Sequence, residues 1–334
     1  MQISGFAAHQ PKSTLKAFSY SSDTLAPHDV LIKITHCGIC HSDVHLIDND
    51  WQISQYPFIP GHEIIGTVHG LGPQVNHLKK GQRVGVGWQA GACLNCEFCL
   101  SGDENCCAQS KSTTGRRHGG FAKYVVVDSR FAFPIPEKLD SENAAPLLCA
   151  GITVYAPLSK FVRPKQKVGV IGIGGLGHLA LQFARAYGCE VTAFSNSPDK
   201  KAEALKFGAH HFVVSSKKEE MRKAVSSMDV LLSVVSADLN WPQWFDVLRP
   251  NGKLVILGAS PSDICVSPGM LIGAQKSIIG NNTGGRAMMG EMLEFAARHN
   301  IKAQIELMPL AKVNTALDKV RRNQARYRIV LKCL

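Results

Sequence analysis

Several features are missing from these 334 residues, and each absence narrows the possibilities. The opening stretch, MQISGFAAHQPKSTLK, contains no unbroken apolar core of signal-peptide length and no small-residue cleavage pattern, so the expected compartment is the cytoplasm. The most apolar segment, VGVIGIGGLGHLALQFA, is broken by five glycines and a histidine, which excludes it as a membrane span. No low-complexity tract and no internal repeat is present. A basic run is missing too: the formal net charge is +11, but the basic residues are scattered in pairs such as Lys79-Lys80, Arg116-Arg117 and Arg321-Arg322. That pattern reads as a solvated surface, not a nucleic-acid stripe, and it suits an anionic cofactor.

Composition favours a globular protein, with 45% apolar and 19% charged residues, and the length suits two domains. In a reducing compartment the 11 cysteines point to metal ligands more than to disulfides.

Residues 93 to 107 read CLNCEFCLSGDENCC. Cys93, Cys96 and Cys99 are each separated by two residues, and Cys107 follows after seven more. Four thiolates at this spacing can wrap a tetrahedral ion and leave no position open for substrate, as in a structural zinc site. An iron-sulfur run would be denser and end in Cys-Pro, which is absent. Cys106 fits the spacing less well than its neighbour.

KVGVIGIGGLGHLALQFARAYG, residues 167 to 188, runs from a short apolar strand through a glycine turn into a helix with Leu179, Phe183, Ala184 and Tyr187 at helical spacing. In this dinucleotide-binding pattern Gly172 permits the tight turn. Gly174 lets backbone approach a pyrophosphate, and Gly177 allows close packing of helix on strand. The next strand ends at Ser195, about where an acidic residue would bind the ribose of NAD. Here the residues are SNSPDKK, so Ser195, Ser197 and Lys200 offer donors and positive charge, and NADP is favoured over NAD.

MDVLLSVV and GKLVILGA read as further strands, making residues 150–283 an alternating β/α unit with a parallel sheet. Residues 1–149 and 284–334 carry short β-like segments rich in Gly and Pro and form a β-rich domain. The tail GEMLEFAARHNIKAQIELMPLAKVNTALDKV reads as helical.

The stretch CGICHSDVH, residues 37 to 45, is open to three readings: a redox dithiol, half of a structural zinc site, or part of a catalytic one. A catalytic metal site needs about three protein ligands and one open position. Cys40, His62 and Cys149 each lie beside a glycine-containing turn, but spacing alone does not select them.

GHEIIG, CxxCxxCx7C, HGGFA, PLLCAGITVY and GIGGLGH occur here in an order that resembles the zinc-dependent alcohol dehydrogenases of the medium-chain dehydrogenase/reductase superfamily. Within it, the resemblance is to the cinnamyl alcohol dehydrogenase branch and its bacterial NADP-dependent aldehyde reductases. It spans nearly the whole chain and extends to NTALDKVRRNQARYRIV.

The resemblance implies a GroES-like catalytic domain around a Rossmann domain, two zinc ions per chain, NADP(H), and a homodimer. It makes Cys40, His62 and Cys149 the ligands of the catalytic zinc, with Glu63 behind them as a transient ligand. Asp43 would fix the tautomer of His62, while Ser42 and His45 would relay a proton to solvent. His41, Gly175, Leu176, Asn196, Asn281, Asn282 and Thr283 would join the glycine turn and the serine-lysine segment around the cofactor, and Trp51 and Trp88 would line the substrate cleft. Asn281, Asn282 and Thr283 replace a more apolar segment, and AQSKSTTGRRHG is shorter and more basic than in the plant enzymes, so the pocket rim differs.

The expected activity is interconversion of primary alcohols and aldehydes, acting as an aldehyde reductase. Two alternatives remain: an NADP-binding zinc protein without turnover, as sensor or structural protein, and a zinc-ribbon nucleic-acid binder. The latter explains neither the dinucleotide turn nor the dispersed ligands.

Overall fold

The computed structural model describes every residue except Asp23, Arg116, Arg117, Pro261 and Leu334. The basic rim expected at Arg116 and Arg117 therefore lies outside the described residues. Internal contacts divide the chain into two units, Met1–Ile152 with Gly284–Leu334, and Thr153–Thr283. Among the described residues no single helix is long and apolar enough to cross a membrane.

Thr153–Thr283 is organised by a parallel six-stranded sheet. From one edge its strands are His211–Val214, Glu190–Ser195, Lys167–Ile171, Met228–Ser233, Leu248–Ile256 and Ser277–Gly280. In chain order this is 3-2-1-4-5-6, the doubly wound arrangement in which the connections reverse direction beside the first strand. The central strands are near-continuous apolar runs because both faces are covered: Val168, Val170, Val191, Phe194, Leu231 and Leu254 are buried. Leu179, Phe183 and Ala184 on the helix Gly177–Ala186 are fully buried, as their 3.6-residue spacing requires.

The other unit is built on a seven-stranded, mainly antiparallel sheet. Ile305–Pro309, Arg328–Lys332, Asp29–Ile39, Glu63–Leu71, Arg83–Val86 and Phe133–Pro134 lie side by side, and Tyr124–Asp128 pairs with Asp29–Ile39. One apolar cluster fills it, including Ile32, Ile34, Phe58, Ile64, Val84, Phe121, Val125, Leu317 and Ile329. The tail departs from the helical reading. It contains helices Arg286–His299 and Val313–Arg321, but Ile305–Pro309 between them is a strand, parallel to Arg328–Lys332. Five residues of IELMP are too few for periodicity to separate strand from helix, and pairing with the last strand decides the outcome.

Candidate metal centres and dinucleotide turn

Sheet register brings the dispersed residues together. Asp29–Ile39 and Glu63–Leu71 run antiparallel with Gly38 opposite Glu63. Cys40 follows the end of the first strand and His62 precedes the start of the second, so the two must meet. Ile329 lies opposite Ile39, which places Arg328 at the same end of the sheet. Cys149 arrives on the short turn after Ala145–Leu148 and before the helix Ala150–Phe161.

Cys40, His62, Glu63 and Cys149 are all buried, and their ligand atoms lie within 4.8 Å of one another. His62 Nε2 is 3.3 Å from Cys149 Sγ, which is 3.9 Å from Cys40 Sγ. A tetrahedral ion with bonds of about 2.0 Å to nitrogen and 2.3 Å to sulfur needs donor separations of about 3.5–3.8 Å. Two thiols, an imidazole and a carboxylate in a dry interior have few other stable uses, so the donor set fits zinc.

Asp43 organises this cluster. Its carboxylate accepts hydrogen bonds from the backbone amides of Cys40 and Gly61, both at 2.9 Å, and from His62 Nδ1, also at 2.9 Å. With Nδ1 bound to Asp43, Nε2 is the ring nitrogen that faces the sulfurs. Burial disfavours protonation of His62, but the Asp43 carboxylate overrides it and holds the imidazole well above its usual range. Between the two cysteines, the hydrogen bond from Cys149 holds Cys40 well below the usual thiol range and pushes Cys149 well above it.

Glu63 is fully buried beside Arg328, with which its Oε1 forms an ion pair. Burial pushes this carboxyl up to about 7 against the pull of Arg328. Its Oε2 has no hydrogen-bond partner among the described residues. Gly38 makes room for it, since a Cβ there would collide with that oxygen. Arg328 has no role in the sequence reading, because its partner Glu63 is supplied only by the fold.

The helix His41–Asp48 carries Ser42, Asp43 and His45. Ser42 Oγ accepts from Cys40 Sγ at 3.6 Å. His45 Nδ1 is 2.7 Å from Asp50, a partner not foreseen from the sequence. The His45 ring also lies 5.9 Å from that of His41 and 5.2 Å from Trp51. Trp51 meets Trp88 edge-on at 6.1 Å, and Trp88 meets His62 edge-on at 5.1 Å. Trp88 therefore adjoins the donor set and also packs on the apolar core, while Trp51 reaches it only through Trp88.

Cys93, Cys96, Cys99 and Cys107 form a second group within the same distance limit, with Cys93 Sγ 3.8 Å from Cys99 Sγ and 3.5 Å from Cys107 Sγ. These separations also suit a tetrahedral ion. Cys106 is exposed and outside the group, and Cys37 is buried in the core.

The glycine turn follows the first strand of the parallel sheet, where doubly wound folds bind ligands. Gly172 has φ +93°, and a Cβ on Gly177 would collide with the Gly172 carbonyl oxygen. Gly174 faces open space, with nothing within 4 Å of a Cβ built on it, and Gly175 and Leu176 complete the turn into the helix. Backbone there is open to a phosphate, which fits a dinucleotide. Ser195 Oγ accepts from Ser197 N at 3.1 Å across Asn196, and Lys200 Nζ donates to the Ile173 carbonyl oxygen at 2.8 Å, reaching back over the turn. Asn281, Asn282 and Thr283 follow the last strand at the same carboxyl edge of the sheet.

Residues 26–137 match the alcohol dehydrogenase GroES-like domain family, and residues 175–298 match the zinc-binding dehydrogenase family. Aldehyde reductase AdhA of Synechocystis sp. is 40% identical over 332 residues, 98% of each chain. A cinnamyl alcohol dehydrogenase (CAD) from Sorghum bicolor superposes with a TM-score of 0.96 at 38% identity, covering 99% of this chain and 98% of that one. CAD from Helicobacter pylori complexed with NADP(H) superposes with a TM-score of 0.92 at 32% identity and the same coverage. With both domain types, both cysteine-bearing groups and full-length relatives in agreement, the chain belongs to the zinc-dependent alcohol dehydrogenases of the medium-chain dehydrogenase/reductase superfamily, and is an alcohol/aldehyde oxidoreductase.

Proposed function

We propose that the chain reduces aromatic or small aliphatic aldehydes with NADPH, using Cys40, His62 and Cys149 as ligands of a catalytic zinc. Cys93, Cys96, Cys99 and Cys107 hold a structural zinc in the same reading. The observation that carries it is the buried convergence of Cys40, His62, Glu63 and Cys149. Zinc bound there supplies a Lewis acid for the carbonyl oxygen, and the reduced nicotinamide supplies the hydride.

The protein's own residues provide orientation and proton transfer. Asp43 keeps the His62 lone pair directed at the metal. Glu63, paired with Arg328, is the carboxylate available as a transient ligand. Ser42 and His45 move the hydroxyl proton: Ser42 lies beside the ligand sulfur, and His45, with 28% of its side chain accessible and Nδ1 on Asp50, is the outlet to solvent. Trp51 and Trp88 form an aromatic wall for flat substrates.

Ser195, Asn196, Ser197 and Lys200 receive the 2′-phosphate of NADP, with no carboxylate at the strand end to repel it. The Helicobacter pylori relative, which carries NADP(H), supports that preference. His41, the turn Gly172–Gly177 and Asn281–Thr283 hold the rest of the cofactor. The edge strand Ser277–Gly280, with half-buried Ile278 and Ile279, supports a homodimer. Eleven free cysteines support a cytoplasmic location.

The test is NADPH and NADH consumption over a panel of aromatic and aliphatic aldehydes, with zinc counted per chain. Two zincs and NADPH-dependent turnover are expected. One zinc without turnover would leave only a structural or sensory NADP-binding role.

A further inference from the structure

Glu104 lies inside the four-cysteine loop, in the short turn Glu104–Cys106, and is 2% exposed although it carries a carboxylate. Its main chain belongs to the loop: its carbonyl oxygen accepts from Cys107 N at 3.1 Å and from Gln89 Nε2 at 2.6 Å. Its side chain points elsewhere. Oε2 accepts from the backbone amide of Arg286 at 3.0 Å, and Oε1 accepts from Arg286 Nε at 2.7 Å. The carboxylate thus caps and neutralises the N-terminus of the helix Arg286–His299, reached across 182 positions of sequence. The fit is close, because a Cβ on Gly285 would collide with the Gly102 carbonyl oxygen and with Glu104 itself.

That helix packs against the segment carrying Cys149. Met289 and Met292 are buried on its inner face. A Cβ on Gly151 would sit 3.2 Å from Met292 Sδ, and one on Gly87 would sit 2.5 Å from the Leu148 carbonyl oxygen and 3.2 Å from Met289 Cε. Cys149 lies between Leu148 and Gly151 and pairs with no strand; the turn before it packs on the sheet, and the helix Arg286–His299 and the Gly87 backbone bear on the residues that flank it. Gln89, bonded to the Glu104 carbonyl, is two residues beyond Gly87 and gives a second link between the same parts.

We propose that Glu104 is a positioning residue for Cys149: it fastens the four-cysteine lobe to the helix Arg286–His299, which holds the Cys149 thiol in place beside Cys40 and His62. The four-cysteine lobe then supports the geometry of the other donor set as well as its own fold. The inference rests on Cys40, His62 and Cys149 being ligands of one metal ion.

The experiment uses full-length protein loaded with zinc or cobalt, as wild type, Glu104→Ala, Glu104→Gln and Arg286→Met. Release of metal to a colorimetric chelator is followed alongside the visible spectrum of the cobalt form. The expected result for Glu104→Ala and Arg286→Met is that the metal held by Cys40, His62 and Cys149 is released about tenfold faster, with altered thiolate-to-cobalt bands, while the four-cysteine metal leaves at the wild-type rate. Glu104→Gln, which keeps an acceptor for the Arg286 amide, restores part of the difference. A buried destabilising change in the other unit, Val247→Ala, should leave both release rates unchanged, separating positioning from general loss of stability.

Wild-type release rates and cobalt spectra in both Glu104→Ala and Arg286→Met would overturn the proposal, as would earlier loss of the four-cysteine metal. Should Glu104→Ala not fold, Arg286→Met carries the same readout with the lobe sequence intact. If wild-type protein binds a single cobalt, at the four cysteines, the reading of the other donor set fails first and the proposal falls with it.

Discussion

The Asp43 carboxylate lies 2.9 Å from Nδ1 of His62, with both side chains fully buried. It also accepts the amides of Cys40 and Gly61, so one group orients the His62 ring and the backbone beside Cys40 and His62. Asp43→Ala should weaken metal binding at this site by about 10- to 100-fold, with a parallel loss of turnover. Chelator competition checks it, with the four-cysteine metal as internal reference.

Glu63 and Arg328 form a buried ion pair whose two halves are 265 positions apart in sequence. Removing one partner strands the other charge, so Arg328→Met should cost about 3–5 kcal/mol. The double variant Glu63→Gln with Arg328→Met leaves no uncompensated charge and should recover much of that loss. Urea unfolding of both single variants and the double variant measures the coupling.

These residues also mark how far the sequence could be read. The glycine turn and the cysteine ladder are local patterns: their chemistry is complete within about twenty residues, so spacing identifies them. Cys40 and His62 become neighbours through the register that sets Gly38 opposite Glu63, Cys149 joins them from a turn more than eighty residues on, and only family resemblance singles the three out. Arg328, Asp50 and Glu104 carried no local signal, because each acts through a partner that the fold supplies. The strand Ile305–Pro309 departs from the helical pattern of the tail for the same reason, since its identity comes from pairing with Arg328–Lys332.

Replacing one of the four clustered cysteines tests the structural role. Cys96→Ser should remove one zinc per chain. For a metal present at a hundred times its dissociation constant, losing the site costs about 2.7 kcal/mol. At about 2–4 °C per kcal/mol this lowers Tm by roughly 5–11 °C. Calorimetry with metal analysis checks both.

In the proposed function, cofactor choice rests on the end of the strand Glu190–Ser195, where Ser195 and Ser197 are joined by a hydrogen bond at 3.1 Å. Ser195→Asp places a negative charge where the 2′-phosphate is expected. Repulsion of about 1.4–2.8 kcal/mol would lower kcat/KM for NADPH by about 10- to 100-fold and leave NADH within a few-fold. The ratio of the two cofactors in steady-state assays decides it.

Trp88 meets two rings edge-on, His62 at 5.1 Å and Trp51 at 6.1 Å, so it adjoins both the buried donor set and the more exposed aromatic, Trp51, which is 37% exposed. If these indoles contact substrate, each should favour flat aromatic aldehydes through ring-to-ring contacts worth about 0.5–1.5 kcal/mol. Trp51→Ala and Trp88→Ala should then lower kcat/KM for benzaldehyde by roughly 2- to 13-fold relative to butanal. Trp51→Ala should do so with little change in Tm, because a side chain this exposed contributes little to the core. Trp88 packs on the apolar cluster, so its replacement should also lower Tm. An equal fall for both aldehydes in the Trp51 variant would make the pair a structural edge of the domain, because a wall that touches substrate must distinguish a ring from a chain.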